Sequence, residues 1–330
     1  MKFLLPVLSL FAISFSAVAQ DTPFVPEELI VTANSINLRE EPNIYSKKLA
    51  SVPRGAKMQF LEAHDNGTYV KADTLDPAEI YAPWYKVRYQ NKTGYVYGAY
   101  VSGRFNLYFE GDYMENIPVG LHWYGVYTRD SFADETRKIE VKIVDEYNEM
   151  FGANAKFLRT NQTDVAKFLI ATAEPLKTGY SGPTGIFDVN QYYGNNTMYP
   201  GATVVIHRGY DIKNAADSLM SPSYVISALG CVEMRDNVTM FDNYRLLLFD
   251  YTEEKPFQQD ITPWFKTAFI ELNPTISLFW QGDLDQDGKP DAVFQDCPQE
   301  AGCRISLLLS SEAKGNMRLK KICETYFSFH

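Results

Sequence analysis

Short apolar and β-branched runs, separated by turn residues, recur along the first third of the chain. Ile30–Ala33, Ile36–Arg39, Lys48–Val52, Met58–Leu61, Trp84–Arg88 and Gly94–Gly98 each have strand length, and Pro53-Arg54-Gly55 reads as a turn. Six such runs in about 75 residues are the pattern of a small barrel. Residues 140–145 then alternate apolar and polar side chains, Lys167–Ala173 is an apolar strand, and Ala202–Ile206 is a buried-strand run ending at His207. Between Asp236 and Leu248, the apolar residues Val238, Phe241, Tyr244, Leu247 and Leu248 fall at helical spacing, with Asp236 or Asn237 as N-cap. Ser277–Trp280, Ala292–Phe294, Ile305–Leu309 and Met317–Ile322 read as strands. The expected fold class is mainly β with some α. It divides into a small barrel at 28–103, a β-rich domain at 104–255 and a small β module at 256–330.

Composition removes several function classes. The 330 residues include 31 basic and 41 acidic side chains, a formal net charge of −10. That balance argues against a nucleic-acid ligand and against steering to anionic lipid. Residues 1–20 read MKFLLPVLSLFAISFSAVAQ: Lys2, an apolar run and Ala17-Val18-Ala19. These are the three parts of a secretory signal peptide, here 1–19, cut at Ala19–Gln20. The apolar run is about 12 residues, short of the roughly 20 that span a bilayer, so no membrane span is expected. The chain reads as exported, periplasmic or secreted, in a compartment that permits disulfides.

The segment SINLREEPNIYSKKLASVPRGAKM and the later WYKVRYQNKTGYVYGAYVS resemble the opening and closing motifs of the bacterial SH3-like domain. The resemblance covers 28–103 and implies attachment to cell-wall peptides or partner proteins rather than catalysis. Trp84 is either a core aromatic or a ligand platform.

The middle domain carries one chemically loaded stretch, Ser227-Ala-Leu-Gly-Cys-Val-Glu-Met-Arg-Asp-Asn237. Cys231 follows Gly230 just before the expected helix, where backbone N–H groups stabilise a thiolate or an oxyanion. His207, at the end of the buried strand, is the available base. Three segments resemble, in order, motifs of the L,D-transpeptidase catalytic domain (YkuD family): AKFLIATAEPLKTGYSGPTGIFDV, GATVVIHRG and GCVEMRDNVTMFDNYRL. The resemblance implies Cys231 as nucleophile, His207 as base, the Arg208 backbone carbonyl orienting the imidazole, and N–H groups near Gly230 and Cys231 as oxyanion hole. Two positions depart from the family pattern. Leu229 stands where the family has His, and Glu233 where it has an Arg that would attract a substrate carboxylate. Arg235 is the substitute candidate for substrate binding.

The third module contains Asp283-Leu-Asp285-Gln-Asp287-Gly288-Lys-Pro-Asp291. Carboxylates at alternate positions around a Gly suit a hard cation of calcium size. The stretch GDLDQDGKPDAVF resembles the calcium loops of FG-GAP and VCBS-type β repeats. That implies a structural Ca2+ held by Asp283, Asp285, Asp287 and Asp291, with Lys289 through its carbonyl, and no cofactor for catalysis. Cys297 and Cys303 flank a turn and are expected to form a hairpin disulfide. Cys323 then either stays free or pairs with Cys231, which would abolish the nucleophile.

Two functions follow. One is an exported cysteine acyltransferase acting on peptidoglycan stem peptides through a Cys231 acyl-enzyme, an L,D-transpeptidase or related hydrolase. The other is a catalytically degenerate wall-peptide-binding protein. A papain-like or NlpC/P60 peptidase places Cys before His in the chain, the reverse of this order.

Overall fold

The structure, a computed structural model, describes residues 24, 26–71, 79–130, 133–149, 152–182, 187–188, 197–207, 223–235, 238–251, 255–265, 276–299 and 302–328. The signal segment and Arg208 lie outside these residues. Among the described residues strand is the dominant element, and the helical elements are two 3-10 turns, Gly98–Tyr100 and Thr262–Trp264.

The first sheet contains β1 (Glu28–Val31), β2 (Ser35–Arg39), β3 (Lys48–Pro53), β4 (Lys57–Lys71), β5 (Glu79–Tyr89), β6 (Lys92–Tyr97) and β7 (Val101–Ser102). Its order is β3-β2-β6-β5-β4-β1-β7. The ladder therefore has two ends, β3 and β7, and does not close into a barrel. The alternation along β1 and β2 sends Leu29, Val31, Ile36 and Leu38 inward, where they meet Val52, Met58, Val87 and Val96. Gly94 is required where strands meet: a Cβ there would lie 2.4 Å from the Arg39 carbonyl oxygen.

The second sheet contains β8 (Phe105–Tyr108), β9 (His122–Thr128), β10 (Asp134–Lys138), β13 (Phe168–Thr172) and β14 (Gly179–Gly182), in the order β14-β10-β9-β13-β8. A separate hairpin joins β11 (Val141–Asn148) to β12 (Ala153–Thr160). The third sheet runs β15 (Phe187–Asp188), β16 (Thr203–His207), β17 (Ser223–Arg235), β18 (Val238–Asp250) and β19 (Phe257–Asp260) in chain order. The fourth, also in chain order, is β20 (Ile276–Gly282), β21 (Asp291–Gln299), β22 (Gly302–Leu309) and β23 (Lys320–Ser328).

The fourth sheet is apolar on both faces, which is why β22 reads as an unbroken buried run rather than an alternating one. Val293, Ile305 and Leu307 pack on Phe105, Val126, Phe168 and Ile170 of the second sheet. Phe294 and Leu308, with Ile276 and Leu278, pack on Val204, Ile226, Leu246 and Leu248 of the third. Polar ties cross the same seams. Asp134, wholly buried, accepts from Lys167 Nζ at 2.6 Å and from Trp280 Nε1 at 3.1 Å. Arg318 Nε donates to Asp250 at 2.5 Å. The boundary expected at 255/256 thus does not separate two cores: the strands after it share both cores with the strands before it.

The helix expected over 236–248 is instead strand β18. Tyr244, Leu246 and Leu248 are the core-facing set, a period of two, and each sits opposite or near the apolar residues of β17. The cross-strand partner decided the matter, since an apolar run of this length fits either period until its neighbour is known.

Candidate functional site

Cys231 lies near the outer end of the β17–β18 ribbon. Inside the sheet, β17 buries Tyr224, Ile226 and Ala228. The β16 ladder stops at the Thr203–Ser227 pair, and from Leu229 onward through Met234 every residue of β17 is exposed. Gly230 makes the change: its φ of +153° and the register shift between Leu229 and Cys231 form a bulge, the device that re-aims a strand. The Cys231 thiol is exposed and free, and the residue across the ladder is Asp242, a carboxylate rather than an imidazole.

His207 sits at the opposite end of the same pair of strands. Its Cα is paired with Ser223, and Cys231 lies eight positions farther along β17. At about 3.3 Å per strand residue the two backbones are roughly 26 Å apart, against the ~3 Å that a nucleophile–base hydrogen bond needs. The geometry does not bring this pair together. Nor does Gly230–Cys231 stand at a helix N-terminus, because the segment that follows is strand, so the anion-stabilising N–H cluster expected there is not formed. Glu233 is exposed, with Met240 across the ladder, while the Arg235 side chain is outside the described residues.

The cysteines divide cleanly. Cys297 and Cys303 form a disulfide across the β21–β22 hairpin, as the spacing suggested. Cys323 is buried and free, so the Cys231–Cys323 pairing does not occur. Burial pushes the Cys323 thiol up to about 12, which makes it inert at neutral pH.

The Asp loop joins β20 to β21. Asp283 Oδ1 accepts from Asp287 N–H and its Oδ2 from Gly288 N–H, both at 2.9 Å. Left-handed backbone at Gln286 (φ 56°) and Gly288 (φ 89°) folds the loop back on itself. One carboxylate oxygen each from Asp283, Asp285 and Asp287 converges within 4.8 Å. Asp285 Oδ1 is buried with no hydrogen-bond partner among the described residues. Burial is the first cause raising the Asp283 carboxyl to about 6, with the charges of Asp287 and Asp285 adding to it and two backbone N–H bonds opposing. Asp291 is not in the convergent set. Its Oδ2 takes the Leu284 N–H at 2.8 Å and its Oδ1 the Ser310 N–H at 2.9 Å, so it fastens the loop to the chain after β22. It is wholly buried, and burial holds its carboxyl well above the usual range.

In the first sheet, Trp84 is 1% exposed and packs against Tyr97 with ring centroids 5.4 Å apart. That is a core position, so the ligand-platform alternative for Trp84 is set aside. No sequence signal singled out the cleft between the first and second sheets, lined by Tyr85, Asn106 and Tyr108. Its residues are scattered over 24–119, and only Tyr85, Gly98, Ala99, Val101 and Ser102 fall within the SH3-like closing motif.

Comparison with known families finds one similarity, and it falls on the first sheet. Residues 34–102 match the bacterial SH3 domain family. The match covers that sheet from the turn before β2 to the end of β7 and does not extend to the other sheets. No curated protein and no solved structure matches the chain. Among the described residues no helix is long and apolar enough to cross a membrane.

Proposed function

We propose that the chain is an exported cell-wall-binding protein whose SH3 sheet anchors it to peptidoglycan, on a three-sheet body that does not assemble a Cys231–His207 dyad. The observation that carries this reading is the bacterial SH3 match at 34–102, beside a register that holds the two reactive residues at opposite ends of β16–β17. Binding, not turnover, is what such a frame supplies. The acyltransferase reading draws on the order of three short motifs and on the exposed, free thiol of Cys231. It needs His207 within hydrogen-bond reach of that thiol, which the ladder opposes.

A structural Ca2+ in the Asp loop belongs to the same proposal. The three convergent carboxylates and the unpartnered Asp285 Oδ1 fit a hard cation. It would neutralise charge on a loop that already contacts the second sheet through the Asp283 N–H to Ser181 carbonyl bond, 2.7 Å.

The test is co-sedimentation of the mature chain with purified peptidoglycan sacculi, alongside incubation with wall tetrapeptide. The proposal expects saturable binding and no change in the tetrapeptide. Absence of binding, or peptide turnover lost in Cys231→Ala, would overturn it.

A further inference from the structure

The SH3 sheet and the second sheet meet along a cleft of about 560 Å³, a volume typical of small-ligand sites. It runs beside β7 and β8, the adjoining end strands of the two sheets. Charged residues make up 22% of the chain, yet among the described residues none lines this cleft. The walls are mostly apolar, with five polar side chains among the lining: Tyr85, Ser102, Asn106, Tyr108 and Asn116.

Those groups are held in place and still have capacity to bond. Both N–H bonds of the Asn106 amide are used, to Ser102 Oγ at 2.7 Å and to the Ala171 carbonyl at 3.1 Å, which leaves its Oδ1 as acceptor. Tyr85 is fixed edge-on to Phe60, with centroids 5.6 Å apart, and Tyr108 lies against Trp123 at 5.0 Å. Among the described residues neither tyrosine hydroxyl has a hydrogen-bond partner, nor does the Asn116 amide. Burial pushes both tyrosines upward in pKa, so both remain neutral donors.

A neutral, aromatic, amide-bearing cleft selects against ionic groups, because an unpaired charge buried there costs several kcal/mol. The wall polymer has two parts. Its stem peptides carry carboxylates and amines, whereas its glycan carries hydroxyls, acetamido groups and apolar ring faces. We propose that the cleft between the SH3 sheet and the second sheet holds an N-acetylated sugar unit of the glycan, bonded by Tyr85, Tyr108, Asn106 and Asn116. The choice of sugar rests on the wall-binding reading above, and the cleft extends the contact beyond the SH3 sheet itself.

The test titrates the full mature chain with the β-1,4-linked tetramer of N-acetylglucosamine, by calorimetry, in parallel with sacculus binding. Tyr85→Phe and Tyr108→Phe remove one hydroxyl each and keep the rings, so the fold is preserved. The tetramer is expected to bind, with affinity falling about three- to tenfold in each variant, the worth of one hydrogen bond. Binding of sacculi without binding of the tetramer would overturn the cleft assignment and leave the wall reading standing. Tetramer affinity unchanged in both variants would also overturn it, as would displacement of the tetramer by free stem tetrapeptide. Failure of both ligands would remove the wall reading and this inference together.

Discussion

Asp134 is the residue on which the joint between the second and fourth sheets is most exposed to test. Its carboxylate is wholly buried and accepts from Lys167 Nζ and from Trp280 Nε1, so one side chain ties β10, the start of β13 and β20. Asp134→Ala leaves the Trp280 N–H, on a ring only 2% exposed, and the Lys167 ammonium without that acceptor. An orphaned buried N–H costs about 1–3 kcal/mol, and breaking a buried ion pair by removing one partner about 3–5 kcal/mol. The two figures overlap in what they count, so the larger range is the expectation. With about 2.1 cal/mol/K of unfolding entropy per residue, a chain of this size shifts by roughly 1.5 °C per kcal/mol, so the thermal midpoint falls by about 5–8 °C. Asp134→Asn keeps an acceptor for Trp280 and loses only the charge, so its loss is smaller. Thermal unfolding followed by tryptophan fluorescence reads both variants. An Asp134→Ala midpoint equal to wild type would refute the reasoning, and so would Asn costing as much as Ala.

Phe294 sits between β21 and the third sheet, edge-on to Phe265 at 5.4 Å. Phe294→Ala should cost about 3–5 kcal/mol in the same unfolding assay, and a change below 1 kcal/mol would deny the shared core. Native alkylation should label Cys231 and spare Cys323, with Cys323 reacting only after denaturation; mass spectrometry of the digest reads the order. The Asp loop sets a pH dependence. Folding raises the Asp283 carboxyl to about 6, so without a cation its stability contribution is full below the unfolded value near 4 and is lost as pH rises through 6. Calcium at a hundredfold excess over its Kd should therefore stabilise the fold by about 2.7 kcal/mol at pH 7.5, read as a raised melting temperature, and by little at pH 5. Equal shifts at both pH values would contradict the assignment of these carboxylates as ligands.

Much of the fold was legible where one residue's partners are local. The short runs of the first sheet, such as Ile36–Arg39 and Gly94–Gly98, became strands because their turn residues and alternation agree. The apolar run Ile305–Leu309 was equally plain, though not its two-faced role, since that depends on which sheets cover it. In the 236–248 segment Val238, Phe241 and Tyr244 fit a helical stripe, while Leu246, fully buried opposite the equally buried Ala228, carries the opposite signal. The His207–Cys231 pair looked close because the chain order matched three motifs. Their distance is set by strand register and by the bulge at Gly230, neither of which a linear spacing encodes. The Asp loop shows the same limit in miniature. Asp283, Asp285 and Asp287 converge as their alternate spacing implied, but Asp291 is captured by the Leu284 and Ser310 N–H groups, a long-range use invisible in the sequence.

We propose that this frame binds wall material without acyl chemistry at Cys231. The most direct measurement is intact mass of the mature protein after incubation with a wall tetrapeptide donor and quenching in acid, run on wild type, Cys231→Ala and His207→Ala. No acyl adduct is expected on any of the three, with all three still sedimenting with sacculi. An adduct on wild type that maps to Cys231 and disappears in both variants would contradict the proposal, and would mean that His207 reaches the thiol despite the register.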